Sequence, residues 1–281
     1  MIQKILLQVL MAIVCVECVK AEVVIKECGT GNKVLVMIPG FACSGDVWDE
    51  TAQVMSKDYH CLQLTLPGFA GAKALEKPSF KNMEQLIVNE LRKRNLTHVS
   101  LMGHSMGGGL AMAIAAHYPD MVDKLYIVDA LPCLSALYNP AFKTNPNKDY
   151  TAEIEKMMQM DDARYEQMTQ MGAATQTLSI DKIPTINSWA AKTDRRTYFS
   201  MYYDYTNTDL RNDIKNIKAP MLVLLEPQFL GIDQMITKQY EGCPGANIRY
   251  ATKGLHFIMY DDWDWFIKQC APANPDGTGR W

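Results

Sequence analysis

The stretch GHSMG at residues 103–107 is the most informative part of this chain. The apolar run VSLM at 99–102 precedes it, and the small-residue run GGLAMAIAA at 108–116 follows it. This order predicts a strand, a tight turn and a helix, with Ser105 raised on the turn. Glycines two residues before and two residues after the serine suit a strained backbone that packs closely against neighbouring elements. We therefore interpret Ser105 as a nucleophile rather than as part of a glycine-rich packing turn.

Composition and charge narrow the classes of function. The 281 residues are 48% hydrophobic and 21% charged, which is ordinary for a globular protein with a sizeable core. A net charge of −3 without a basic cluster does not predict nucleic acid or an anionic membrane as a partner. Residues 103–107 lack the lysine of a phosphate-binding loop, and residues 22–281 lack metal-ligand spacings such as H-x-x-x-H or C-x-x-C. We therefore expect a small molecule rather than a nucleic acid as partner, and no metal or other cofactor.

Residues 1–21 have the pattern of a cleaved signal peptide. Residues 1–4 form a short basic segment, and residues 5–19 are apolar apart from Gln8 and Glu17. Ala21 ends a small-residue cleavage site. The apolar stretch is shorter than the roughly 20 residues of a membrane-spanning helix, which disfavours an N-terminal anchor. We expect an exported protein, periplasmic or extracellular, with no stable membrane span after cleavage.

Six cysteines follow the predicted signal peptide: Cys28, Cys43, Cys61, Cys133, Cys243 and Cys270. An even number of cysteines in an exported protein permits disulfides. A core of this size does not need them, so buried free thiols are equally compatible with the sequence.

Apolar runs alternate with helical patterns along most of the chain. This alternation predicts a mostly parallel sheet with helices on both faces. The predicted strands are 23–25, 34–38, 61–66, 99–102, 125–128, 221–225 and 248–251. The predicted helices are 46–56 with Asp46 as its cap, 82–94, the one after Ser105, 233–240, and a last one from about 262.

Residues 131–212 interrupt this rhythm with a polar, methionine-rich and helical pattern. Because the segment lies between two strands of one sheet, we predict a helical cap over the sheet edge. Its methionines and the aromatic cluster at 201–205 suggest an adaptable apolar pocket with a few hydroxyls, although methionines at helical spacing also suit a core. The main domain is then 22–270, and the tail 271–281 is expected to be loose.

At this point the chain resembles the α/β-hydrolase superfamily over roughly residues 22–270, and in detail its small, capped, serine esterase-like members. The likeness rests on IPGF at 38–41, the turn around Ser105, the cap after Asp129, and GLHF at 254–257. It implies an α/β-hydrolase fold with nucleophile, acid and histidine in that order. One departure is Pro39-Gly40, where many members have His-Gly.

The resemblance also implies an oxyanion hole, which needs backbone N–H donors where negative charge develops. Its donors would be the N–H of Phe41, after Pro39-Gly40, and that of Met106, after the nucleophile. Only backbone groups are used, so the side chains at these positions are weakly constrained.

A serine nucleophile needs a base within hydrogen-bond reach. His60 and His98 precede the turn and begin strands, His104 points away from its neighbour Ser105, and His117 ends the helix. Only His256 follows the last strand, in a loop loosened by glycine. We therefore predict His256 as the general base and acid.

The triad acid has three candidates. Members of the superfamily mostly place it after the strand predicted at 221–225, where this chain has Glu226 and then no aspartate until Asp233. Asp233 also has the position of a helix N-cap. Some members carry the acid one strand earlier, where Asp129 stands, although Asp129 could also simply satisfy the backbone there. We place Asp129 first, with Asp233 and then Glu226 as alternatives.

Serine at the turn excludes relatives of this fold that use aspartate there, such as haloalkane dehalogenases and epoxide hydrolases. The sequence predicts a serine hydrolase of the carboxylic ester class, acting on a small or medium acyl ester through a Ser-His-acid triad and an acyl-enzyme. An acyltransferase, a perhydrolase, a C–C hydrolase or a non-catalytic ligand-binding member remains an alternative.

Overall fold

The computed structural model describes residues 21–270, which form one seven-stranded sheet with the order β1-β3-β2-β4-β5-β6-β7. The strands are β1 (Val24–Cys28), β2 (Lys33–Ile38), β3 (Tyr59–Thr65), β4 (Val99–His104), β5 (Val122–Val128), β6 (Met221–Leu225) and β7 (Ala246–Tyr250). β1 is antiparallel to β3, and the other five pairs are parallel. The predicted α/β-hydrolase architecture with a mostly parallel sheet is confirmed.

Ten α-helices accompany the sheet within the described range. They are α1 (Asp49–Met55), α2 (Phe80–Lys93), α3 (Met106–His117), α4 (Thr151–Met158), α5 (Asp162–Ala174), α6 (Ile183–Lys192), α7 (Arg195–Thr206), α8 (Asp233–Tyr240), α9 (Ile258–Asp261) and α10 (Trp263–Cys270). The prediction that Asp46 caps the first helix is wrong. Ser44 instead caps a short 3-10 turn and accepts from the N–H of Asp46, and α1 begins only at Asp49.

The core lies in two layers, one on each face of the sheet. Val36 and Ile38 of β2 point into the layer formed with α2 and α3, while Leu35 and Met37 point into the layer formed with α1 and α10. This alternation follows from the two-residue period of a strand. All residues of β4 and β6 are buried, as expected for parallel strands covered on both sides.

Four helices, α4 to α7, lie between β5 and β6, and the structure shows no strand in residues 131–212. Two hydrogen bonds fasten this insertion to the loops below it. The N–H of Asp194 donates to Gly68 O at 2.7 Å, and Asp204 Oδ2 accepts from the N–H of Phe80 at 2.6 Å. These bonds join α7 and its N-cap residue to the loop after β3 and to the first residue of α2.

The six cysteines within the described range are all free thiols, five of them buried and Cys28 partly exposed. No helix in residues 21–270 is long and apolar enough to cross a membrane. The predicted signal peptide, apart from residue 21, and the predicted loose tail at 271–281 lie outside the described residues.

The turn between β4 and α3 depends on close backbone contact. Ser105 has a φ of 53°, in the left-handed region that residues other than glycine rarely adopt. A Cβ on Gly107 would lie 2.4 Å from the carbonyl oxygens of both Ile38 and Pro39. A Cβ on Gly103 would lie 2.2 Å from Gly107 O. The two glycines therefore let α3 begin in direct contact with the ends of β2 and β4.

Gly107→Ala is expected to destabilise the protein by about 1–3 kcal/mol, since the new methyl group overlaps backbone that cannot yield without shifting α3. The matched control is Gly172→Ala in α5, where a Cβ meets no atom within 4 Å. That change should leave the free energy of unfolding unchanged or raise it by up to about 1 kcal/mol. Urea unfolding of both variants measures the difference. Equal midpoints for the two would contradict the close contact at Gly107.

Candidate active site

Ser105 stands between the end of β4 and the start of α3, where it is the N-cap residue of the helix. Its N–H donates to Val128 O at 2.9 Å, and its carbonyl oxygen accepts from the N–H of Gly108 at 2.9 Å. These bonds tie the strained residue to the neighbouring strand and to the helix. The hydroxyl side chain is thereby held at the carboxyl edge of the sheet, partly exposed.

Asp129 and His256 form a short hydrogen bond at this edge. His256 Nδ1 lies 2.6 Å from Asp129 Oδ2, and the Asp129 side chain is only 1% exposed. The other carboxylate oxygen accepts from the N–H of Glu226 at 2.7 Å, and the N–H of Asp129 donates to Leu224 O at 2.7 Å. Asp129 therefore both satisfies the backbone where β5 and β6 end and orients the imidazole.

Neither of the two alternative acids forms a hydrogen bond with His256. Glu226 meets Asp129 through its backbone N–H, and its carboxylate forms no hydrogen bond within the described part of the chain. Asp233 accepts from the hydroxyls of Tyr250 and Thr237. Asp233 is also not the N-cap of α8, which is Ile232, because Asp233 already has helical backbone as the first helix residue.

The charged form of His256 is stabilised in spite of burial. Burial lowers the pKa of His256, but the hydrogen bond to Asp129 and the negative charges of Asp129 and Glu226 outweigh it and raise the pKa above its usual value. Because Nδ1 is bound to Asp129, Nε2 is the nitrogen left for the cavity that His256 shares with Ser105. The structure shows no hydrogen bond between Ser105 Oγ and His256, and the two side chains meet as lining residues of the same cavities.

The other four histidines are engaged elsewhere. His104 is buried beneath His256 and donates Nε2–H to the carbonyl oxygen of His256 at 3.0 Å. Burial and then the nearby charge of His256 lower the pKa of His104 well below its usual value, so it is neutral. The remaining three pair with carboxylates and do not line the cavities that contain Ser105: His60 with Glu27, His98 with Asp123, and His117 with Glu84.

Asp261 in α9 anchors the loop that carries His256. Its buried carboxylate accepts from the N–H of Leu255 at 2.9 Å and from the Thr177 hydroxyl at 2.6 Å. It also accepts from the N–H of Leu178 and of Ser179, between α5 and α6. One carboxylate thus connects the inserted helices to the His256 loop. The sequence analysis missed this residue, because an aspartate beside a helix start is usually a local cap.

Met106 follows Ser105 directly, and Phe41 lines the same two cavities as Ser105. Met106 is the first residue of α3, so its N–H has no partner within the helix. Phe41 follows Gly40, where a Cβ would come within 2.7 Å of His104 Nδ1 and 3.3 Å of Ser105 Cβ. The lack of a side chain at Gly40 lets the loop after β2 approach the serine.

Two cavities meet at Ser105, one of about 100 Å³ and one of about 400 Å³. Both are lined by Phe41, Ser105, Gln176 and His256. The smaller cavity adds residues of the loop after β2 and of α5 to α7, and the larger adds residues of α7 and of the segments after β5 and β6. A larger groove of about 920 Å³ lies elsewhere, around 140–144 and 238–242, and contains none of the predicted site residues.

The cap contributes rings but not methionines to these cavities. Tyr198 lines the smaller cavity, and Tyr202 and Tyr205 line the larger one. No methionine lines either cavity within residues 21–270, and Met201 is buried in the core, which agrees with the core interpretation of methionines at helical spacing. Gln176 was missed because no local pattern marks a loop residue between helices. Residues 21–270 contain no cluster of three or more His, Cys, Asp or Glu side chains suited to a metal.

Comparison with known proteins agrees with this architecture. A family model described as the alpha/beta hydrolase fold matches residues 33–218. A pimeloyl-(acyl-carrier protein) methyl ester esterase of Wigglesworthia glossinidia brevipalpis is 24% identical over 195 residues, which are 69% of this chain and 74% of the relative.

Solved structures show the same fold at low identity. An enol-lactonase from Burkholderia xenovorans LB400 has a TM-score of 0.73 at 16% identity, covering 89% of this chain and 95% of its own. A hydrolase from Pseudomonas aeruginosa PA01 has a TM-score of 0.73 at 14% identity, covering 88% of this chain and 92% of its own.

The family model covers more than half of the chain, and the structural likeness extends over nearly nine tenths of it. The relatives are named esterases and hydrolases, so the prediction of an esterase-type hydrolase is confirmed at that level. With the serine turn, the parallel sheet and the helical insertion all in place, the chain belongs to the α/β-hydrolase family.

Proposed function

We propose that this protein is a serine hydrolase of carboxylic esters, with Ser105 as nucleophile, His256 as general base and acid, and Asp129 as the triad acid. The observation that carries the proposal is the 2.6 Å bond between His256 and buried Asp129, on the cavity wall that Ser105 shares. A strained serine, an oriented imidazole and a buried carboxylate are the parts that acyl transfer requires.

The proposed reaction has two halves. Ser105 Oγ attacks the ester carbonyl carbon while His256 Nε2 takes its proton, and the resulting oxyanion accepts from the N–H groups of Met106 and Phe41. His256 then gives that proton to the leaving alcohol oxygen as the C–O bond breaks, which leaves the acyl-enzyme. In the second half, His256 takes a proton from water as the water oxygen attacks the acyl carbon. The bond to Ser105 Oγ then breaks, the proton returns to Oγ, and the carboxylic acid is released. Asp129 stays ionised throughout and stabilises the imidazolium.

The two cavities support a small or medium ester as substrate. A cavity of about 150 Å³ is known to hold a benzene ring, so the smaller cavity suits a short alkyl group. The larger cavity, about 400 Å³, has room for a medium-sized group. The methyl ester in the name of the relative from Wigglesworthia is consistent with one short group beside the serine.

Export is a further part of this proposal. It is supported only by the pattern of residues 1–21 described above. Mass spectrometry of protein expressed from the full chain should find a mature N-terminus at Glu22. Exported material that still begins at Met1 would contradict cleavage, and protein retained in the cytoplasm would contradict export.

Ser105 is expected to react with a fluorophosphonate probe, because the oxygen of a serine that a neighbouring base activates attacks the phosphorus and displaces fluoride. Ser105→Ala should abolish labelling and the hydrolysis of p-nitrophenyl esters of short and medium chain length. Ser135→Ala is the matched control, since that hydroxyl donates to Thr206 O and lies outside the two cavities. An unlabelled wild-type protein that binds an apolar ligand would favour the non-catalytic alternative.

Asp129→Asn is expected to lower kcat on the order of 10⁴-fold, because an amide cannot hold the imidazole in the required tautomer or stabilise its charge. Asp233→Asn should change kcat by less than about threefold, since Asp233 does not contact His256. Steady-state hydrolysis of p-nitrophenyl acetate measures both. Near-normal turnover of the Asp129 variant would remove Asp129 from the triad.

The pH profile gives a second measure of the same pair. The base must be neutral, so kcat/KM of the wild type should rise with pH through an apparent pKa above the ordinary value of about 6.5. Removing the charge of Asp129 should move this rising limb of the residual activity to lower pH. A limb that does not move would show that Asp129 does not set the pKa of His256.

A further inference from the structure

The larger cavity beside Ser105 has a distinctive chemical lining. Two carboxyl groups and four aromatic rings face it: Asp129, Glu226, Phe41, Tyr202, Tyr205 and Phe229. Neither lysine nor arginine is among the residues that the structure shows lining it. An anionic substrate group would therefore meet two carboxyl groups with no cation to offset them except protonated His256.

Glu226 is the carboxyl group in this lining that lacks a partner. Asp129 uses both oxygens, one for His256 and one for the N–H of Glu226. The Glu226 carboxylate has no hydrogen bond or ion pair within residues 21–270, although it is partly buried. Burying a carboxylate without a partner costs free energy. A bound group that supplies a positive charge would offset this cost by pairing with the carboxylate.

The environment of Glu226 fits this role. Burial, followed by the charge of Asp129, raises the pKa of Glu226 to about 7, while charged His256 acts in the opposite direction. Near neutral pH the carboxyl group therefore ionises readily when a cation arrives. The hydrogen bond of 2.7 Å from Glu226 N–H to Asp129 Oδ1 holds the backbone of Glu226 beside Asp129.

The aromatic rings supply a second attraction for the same charge. Tyr202, on α7, is about half exposed and stands at the cavity wall, and Phe229 follows β6 on the side of Glu226. Phe41 packs edge-on against Tyr202, with ring centroids 6.4 Å apart. The faces of such rings attract ammonium groups, and quaternary ammonium ligands are commonly bound by rings of this kind.

We propose that the larger cavity binds an ammonium-bearing part of the substrate, with Glu226 as its counter-ion and Tyr202 and Phe229 as aromatic walls. Glu226 is then a specificity-determining residue, and not the triad acid. The assignment of this group to an ester substrate rests on the proposed function. The binding of the cation does not, because it needs neither Ser105 nor the acyl-enzyme.

The test compares esters that differ only in charge. Butyrylcholine and 3,3-dimethylbutyl butyrate have the same shape and place the charged or neutral group on the alcohol side. Methyl 4-(trimethylammonio)butanoate and methyl 5,5-dimethylhexanoate likewise have the same shape, and they carry the charged or neutral group on the acyl side. Calorimetric titration of the Ser105→Ala protein, which cannot turn them over, should show about tenfold tighter binding of the cationic member in at least one pair.

Glu226→Gln in the Ser105→Ala background keeps the shape of the side chain and removes the charge, so it should reduce this preference to about threefold or less. Tyr202→Leu, at an exposed position that tolerates substitution, should reduce it by about threefold. The control Glu76→Gln removes the same charge from an exposed residue outside the cavity and should leave the preference unchanged.

Equal or tighter binding of the neutral member in both pairs would overturn the proposal. A tenfold preference that survives Glu226→Gln would overturn the role of Glu226. These outcomes are separate from the failure of the proposed function, which fluorophosphonate labelling of the wild-type protein decides. A labelled protein without the charge preference refutes only the cation site, and an unlabelled protein with the preference refutes only the hydrolase.

Discussion

The left-handed backbone of Ser105 is the constraint on which the rest of the site depends. A residue other than glycine rarely adopts a φ of 53°, and here backbone hydrogen bonds to Val128 and Gly108 hold Ser105 in it. Gly103 and Gly107 permit the contact of α3 with the ends of β2 and β4. With the hydroxyl fixed at the sheet edge, the N–H of Met106, the loop at Phe41 and the two cavities are arranged around it.

Asp129 joins the parts of the site that come from distant segments. Its position at the end of β5 lets one carboxylate reach the His256 loop and the first residue after β6 at once. The same charge raises the pKa of His256 and that of Glu226. The proposed catalytic base and the proposed cation site are therefore electrostatically connected through one buried residue.

Sequence patterns predicted the elements whose signal is local. The alternation of apolar runs indicated the strands, and the small residues at 103–116 indicated the turn and its helix. The prediction of Asp46 as a helix cap fails because Ser44, two residues earlier, is the N-cap of a 3-10 turn that includes Asp46 and precedes α1. Asp261 and Gln176 escaped notice since each has partners in a remote segment, Asp261 with Thr177 and Gln176 with Phe257. The cap methionines follow helical spacing, which does not tell a cavity from a core.

The sequence by itself determined the family architecture and the serine turn, because strand period, helix period and glycine placement act over a few residues. It also singled out His256 by its place after the last strand. Only the tertiary structure decided which carboxylate meets that histidine, that the six cysteines of the described chain remain thiols, and that Glu226 faces a cavity without a partner. Those outcomes depend on which strand ends become neighbours in the sheet, and distances between remote segments leave no periodic trace in the sequence.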